Sequence, residues 1–200
     1  LLQQRDAVAD FLDGERIATL RRRLGEMEDA VPSQGCLLPW LDATSSLRPW
    51  PQLDAGFCAR PQWQGRAAET GAIARRPDVA AGSAFAARWL ARLEELRDWA
   101  TGIEKVGAGG TASAAQAASG RGRALVETAR GLLMHEIALD GERIADYFIV
   151  APTEWNFHPQ GPIAGWLKGR DAGNREALNA FAARAVAALD PCVRWELEWL

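Results

Sequence analysis

The stretch from Glu127 to Asn156, ETARGLLMHEIALDGERIADYFIVAPTEWN, decides the fold. Leu132–Leu139 and Arg143–Val150 are two strand-like runs, and Asp140-Gly141 between them is a strong hairpin signal, because both residues tolerate a reversal of the backbone.

Working outward, the period changes to that of helices. Residues 1–28 carry Val8, Phe11, Leu12, Ile17, Leu20, Leu24 and Met27 among charges, with a break expected near Asp13-Gly14. From Ser83 to Val106 the apolar set Phe85, Trp89, Leu93, Leu96 and Ile103 recurs at helical spacing, with Ser83 as N-cap. Asn174 to Leu189 predicts a further helix with Leu178, Phe181, Ala182, Ala185 and Leu189 on one face. Between these, 29–82 is rich in Trp and Pro and reads as a long ordered loop segment. Gly107 to Arg123 is rich in Gly, Ala and Ser and reads as a mobile linker. The fold expected is mainly α (α+β): one domain over 1–200, with the motif-bearing part in 124–200 and a small antiparallel hairpin or sheet.

Of 200 residues, 48% are hydrophobic and 24% charged, enough for a real core. A net charge of −3 gives no electrostatic case for nucleic acid, and Arg21-Arg22-Arg23 reads as a solvated helix face. No stretch is long and apolar enough to span a membrane, so no membrane partner is expected. The chain opens on Leu1 without a signal peptide, and a longer N-terminus is compatible with that start. Cys36, Cys58 and Cys192 stand far apart, wrong for a disulfide framework or structural zinc, so free thiols in the cytoplasm are expected. The nine tryptophans are read as core or interface anchors, with Trp40 to Trp63 either core or partner surface.

Three segments carry a resemblance. Gly65-Arg66-Ala67-Ala68-Glu69-Thr70-Gly71-Ala72-Ile73-Ala74-Arg75 has a Glu-x-Gly-x-x-Ala-Arg core. Glu127-Thr128-Ala129-Arg130-Gly131-Leu132-Leu133-Met134-His135 is followed, beyond the hairpin, by Pro152-Thr153-Glu154-Trp155-Asn156. Asp190-Pro191-Cys192 stands near the end. In this order they resemble the nickel–iron hydrogenase large subunit over roughly Gly65 to Cys192, with the family's own separation between arginine and threonine.

The resemblance implies a pocket for an iron that carries two cyanides and one carbon monoxide. Arg130 would face one cyanide, Thr153 would hydrogen-bond the other beside Pro152, and Leu133 would line the carbon monoxide niche. Asp190 and Cys192 would complete the pocket, with Cys192 as the metal ligand. A buried metal-bound cyanide needs a donor, and a guanidinium supplies charge and directed donors together. Blander readings stay open: Arg130 as a structural residue salt-bridged to Glu127, Thr153 as a turn cap, Cys192 as an apolar thiol. His135 reads as a satisfied strand histidine, and His158 as a weak ligand candidate.

Departures from the pattern point away from hydrogen turnover. Trp195 stands where the family has the second cysteine of its C-terminal pair, Glu198 where it has a terminal histidine, and Ala129 where it has proline. Nickel in this class depends on soft thiolates, and no second cysteine pair is visible, so no nickel site is expected. This pattern of losses resembles the HupK/HoxV-type hydrogenase maturation proteins. Because the chain stops soon after Glu198, no segment for the maturation protease is expected.

The implied function is a non-catalytic chaperone or scaffold that transiently holds the iron–dicyanide–carbonyl fragment. Its implied partners are hydrogenase accessory proteins and the large subunit. The alternatives are a fragment of a hydrogenase or hydrogen sensor, and a structural relative acting only through protein contacts.

Overall fold

The structure, a computed structural model, describes residues 2–27, 35–42, 44–102 and 112–199. Two helices open it, α1 (Leu2–Asp13) and α2 (Glu15–Gly25), broken where the sequence places Asp13-Gly14. After two-residue strand β1 (Cys36–Leu37) and short helix α3 (Ala55–Ala59) comes β2 (Ala68–Glu69), which pairs with β1 in parallel. One-turn helix α4 (Ala72–Arg75) leads to the long α5 (Ala84–Thr101). Ser83 caps α5 by accepting the Ala86 N–H at 3.1 Å. Ile103 and Val106, included in the expected helix, lie outside the described residues.

An antiparallel sheet follows, in the order β3 (Ala112–Ala118), β4 (Arg121–Thr128), β5 (Gly131–Asp140) and β6 (Arg143–Val150). The hairpin β5–β6 turns at Gly141 with φ +58°, as Asp140-Gly141 requires. The small antiparallel sheet expected is found, with four strands, and the fold is α+β with a larger β share than "mainly α" implies. And 112–123, read as part of a mobile linker, forms β3 and the start of β4; residues 107–111 lie outside the described set. Small side chains suggested a linker, but β3 is held by its ladder to β4 and by Ser113, whose buried hydroxyl meets Ser46 Oγ at 2.8 Å and accepts the Ser46 N–H at 3.0 Å.

Alternation along β5 separates two faces. Leu132, Met134, Glu136 and Ala138 are buried, while Leu133, His135 and Ile137 are half-exposed. The inner face packs on Leu38, Leu41, Trp50, Leu53, Ala68 and Trp155, with Trp40 and Trp63 against the rim. Of the tryptophans of the long loop segment Trp50 is core, with Trp40 and Trp63 partly buried against it: Trp50 lies tilted to Trp63 at 4.7 Å and edge-on to Trp155 at 6.3 Å. Cys36 and Cys58 pack against this same cluster.

The remaining helices are α6 (Pro152–Asn156), α7 (Pro162–Leu167) and α8 (Arg175–Leu189). Asn174 caps α8, accepting the Ala177 N–H at 3.0 Å. Phe85, Trp166, Phe181, Ala185 and Leu189 form a second core where α5, α7 and α8 meet. Near its N-terminal half α5 also buries Ala87 and Ala91 against Ala72 and Ile73, and near its C-terminus Ala100 against Leu12 and Ile17. Its buried stripe is thus mostly alanine, and Trp89 and Leu96, expected inside, are partly exposed. Close packing of helices around α5 uses small residues because they let the axes approach. No described helix is long and apolar enough to cross a membrane.

Candidate functional site

The three sequence segments meet at one crossing. Gly71 (φ +106°) and Gly131 (φ +128°) press backbone against backbone, in conformations that side chains rarely adopt. A Cβ on Gly131 would lie 2.4 Å from Thr70 Cγ2 and 2.7 Å from Gly71 N; one on Gly71 would lie 2.9 Å from the Arg130 carbonyl oxygen. Thr70 fastens the crossing: its hydroxyl accepts the Leu132 N–H at 2.8 Å, and its own N–H donates to Asn156 Oδ1 at 2.9 Å. Segments far apart in sequence are thereby held in register, with Arg130 at the turn before β5 and Thr153 at the start of α6.

Buried ion pairs stiffen the wall behind them. Glu69 and Arg88, each 2% exposed, form a bidentate pair at 2.7 and 2.5 Å, and the Arg88 guanidinium lies 4.6 Å from the Trp166 ring. Arg75 grips Glu95 with two nitrogens at 2.6 and 2.8 Å, Glu127 at 2.8 Å, and the carbonyls of Thr128 and Ala129 at 3.1 and 3.3 Å. Burial raises the Glu127 carboxyl above its ordinary value despite the opposing pull of Arg75. Glu127 therefore serves Arg75, not Arg130, so the salt bridge imagined between Glu127 and Arg130 is replaced by one that fixes the backbone just before Arg130.

Arg130 itself is half-exposed, with Nε 3.2 Å from Asp190 Oδ2. Asp190 ends α8 in a left-handed conformation (φ 51°, ψ 62°), which turns the chain sharply. Two residues later the exposed Cys192 places Sγ 3.4 Å from Thr153 Oγ1. The structure thus ties Arg130 to Asp190, and Thr153 to Cys192, through one Asp-Pro-Cys segment. Pro152 is buried as the first residue of α6. Leu133 is half-buried on the outer side of β5, opposite Val126.

Other candidates fall elsewhere. His135 Nδ1 lies 2.7 Å from Tyr147 Oη and its ring stacks on that tyrosine, as a satisfied strand histidine should. His158 is 2% exposed; its Nδ1 accepts the Gln160 N–H at 3.0 Å, and burial lowers its pKa, which favours the neutral ring. Burial raises the Cys58 thiol, which disfavours its thiolate. Trp195 is partly exposed in the C-terminal segment. Among the described residues, no three His, Cys, Asp or Glu side chains come together as a metal-binding cluster.

Sequence reasoning named no role for Glu69, Arg75, Arg88 or Arg92. A signal existed: Phe85, Arg88 and Arg92 share one helix face, and arginines among core residues demand partners. Arg92 donates to the Ala188 carbonyl at the end of α8, and burial lowers its pKa.

Comparisons with known proteins show the family of the chain. A family model described as nickel-dependent hydrogenase matches residues 80–194. The hydrogenase expression/formation protein HupK of Rhizobium leguminosarum bv. viciae is 39% identical over 153 residues, 72% of this chain and 41% of that protein. HoxV of Cupriavidus necator, named likewise, is 38% identical over 202 residues, 91% of this chain and 52% of that protein. The chain spans about half the length of the curated relatives it matches. Among solved structures, the reduced Ni-Fe-Se hydrogenase of D. vulgaris Hildenborough aligns with 66% of this chain and 36% of its own, at 22% identity and TM-score 0.44. The chain belongs to the nickel-dependent hydrogenase family, and the relatives it resembles there are the HupK and HoxV hydrogenase expression/formation proteins.

Proposed function

We propose that the chain is a non-catalytic scaffold in nickel–iron hydrogenase maturation, which transiently holds the iron–dicyanide–carbonyl fragment bound for the large subunit. The observation that carries this reading is the approach of Cys192 Sγ to Thr153 Oγ1 at 3.4 Å, beside the Arg130–Asp190 pair. One thiolate, one hydroxyl and one guanidinium suit a ligated iron whose cyanides accept hydrogen bonds. Arg130 keeps its two Nη groups free of partners among the described residues, so they are available to an anionic ligand. A lone thiolate binds iron weakly enough to give it up, whereas retained nickel calls for several soft ligands. The names of the relatives place them in hydrogenase formation, which supports the same role here. The partners are then maturation accessory proteins and the recipient large subunit, in the cytoplasm.

The test is infrared spectroscopy of the protein co-produced with the maturation machinery. Cyanide and carbonyl stretches, with iron but no stoichiometric nickel, are expected for the unaltered chain and lost in Cys192→Ser. Stoichiometric nickel with hydrogen-dependent dye reduction, or unchanged bands in Cys192→Ser, overturns the reading.

A further inference from the structure

Behind Arg130 lies a small cavity bounded by Glu69, Thr70, Arg88, Arg92, Arg130 and Asn156, with the end of α8 closing it. The cavity is small, about 10 Å³, with room for one water or one monatomic ion. Three guanidinium side chains border it. Glu69 is the one carboxylate in its wall, and both of its oxygens are taken by Arg88. Asp190, outside the wall, pairs with Arg130. Three positive charges thus face two negative ones.

Arg92 is left over. Its Nη2 donates to the Ala188 carbonyl and its guanidinium lies 5.2 Å from the Trp89 ring, but its buried Nη1 has no hydrogen-bond partner. A buried cationic donor without a partner is costly, and an anion or a water can answer it; the surplus of positive charge here favours the anion. We infer that this cavity is a binding site for one small monovalent inorganic anion of halide size, held by Arg92 Nη1 and bordered by Arg88 and Arg130. The volume excludes phosphate and sulfate, and the surplus of one positive charge matches one negative charge. The site is independent of any iron fragment. Its occupant would act on the field at Arg130, which borders the cavity.

Bromide is the probe. Crystals grown in sodium bromide should show one anomalous peak in this cavity, within hydrogen-bonding reach of Arg92 Nη1. In solution, chloride should raise the melting temperature more than the bulkier monovalent methanesulfonate at matched ionic strength, and Arg92→Gln should weaken that halide response about tenfold or more, the loss of one charge-assisted contact. Absence of the anomalous peak, or equal responses to chloride and methanesulfonate, overturns the site. If Arg92→Gln does not fold, the bromide crystal of the unaltered chain decides the matter alone.

Discussion

Replacing Arg75 by Met tests whether the wall behind the site is electrostatic in origin. Methionine keeps the length and apolar stem of arginine but leaves Glu95 and Glu127 facing one another, with side-chain exposures of 15% and 9%. Breaking a buried pair by removing one partner costs about 3–5 kcal/mol, because the remaining charge is uncompensated. The cost should depend on pH, and its sign follows from Glu127. Its carboxyl is already raised by burial, and Arg75 is what holds it down; without Arg75 it rises further. A carboxyl with a raised folded-state pKa binds its proton more tightly folded than unfolded, so acidification favours the folded variant. Urea denaturation at fixed ionic strength should therefore show the full deficit near pH 8 and a shrinking one as pH falls toward 5. Arg75→Lys, which keeps a charge but not the fork, should lie between. A deficit that stays constant from pH 8 to 5, or never exceeds about 1 kcal/mol, refutes the reasoning.

Gly131→Ala should lose about 3 kcal/mol, from backbone strain at φ +128° and the disturbed Thr70–Leu132 bond, whereas Gly165→Ala, with open space at its Cβ, should change urea stability little or raise it. Asp190→Asn should leave stability within about 0.5 kcal/mol, since the pair with Arg130 is nearly half-exposed and asparagine tolerates a left-handed backbone, while iron loading measured by elemental analysis falls. Of the three thiols, Cys192 should react first with a disulfide reagent at neutral pH and Cys58 slowly; equal rates would contradict the burial described. Ser113→Ala should cost about 1–2 kcal/mol by stranding Ser46, read from the same urea curves.

What was legible in the sequence was local. The β5–β6 turn, the cap at Ser83 and the break at Gly14 depend on neighbours within four residues, and each is found where the sequence places it. Strand β3 was not legible, because Ala-Ser-Ala-Ala-Gln-Ala-Ala carries no β-branched residue, and its order comes from β4 and from Ser46, far away in sequence. Inside the site the contrast is similar. Arg130, Thr153, Asp190 and Cys192 were named through family resemblance, and the structure places them in pairs through Asp-Pro-Cys. Arg75, Arg88 and Arg92 were passed over, because a charged residue bound for the interior looks, in a sequence, like one bound for the surface.

The left-handed residue at the end of α8 has a mechanical meaning. Beyond Asp190, no regular element carries Cys192 to Thr153; the thiol hangs from a single backbone pivot, braced on one side by Arg130. Rotation about that hinge would swing the sulfur through an arc while the sheet, the glycine crossing and the buried arginines stay still. In the role proposed for Cys192, a ligand presented this way would let go of its cargo by moving one arm, without loosening the frame on which the arm is mounted.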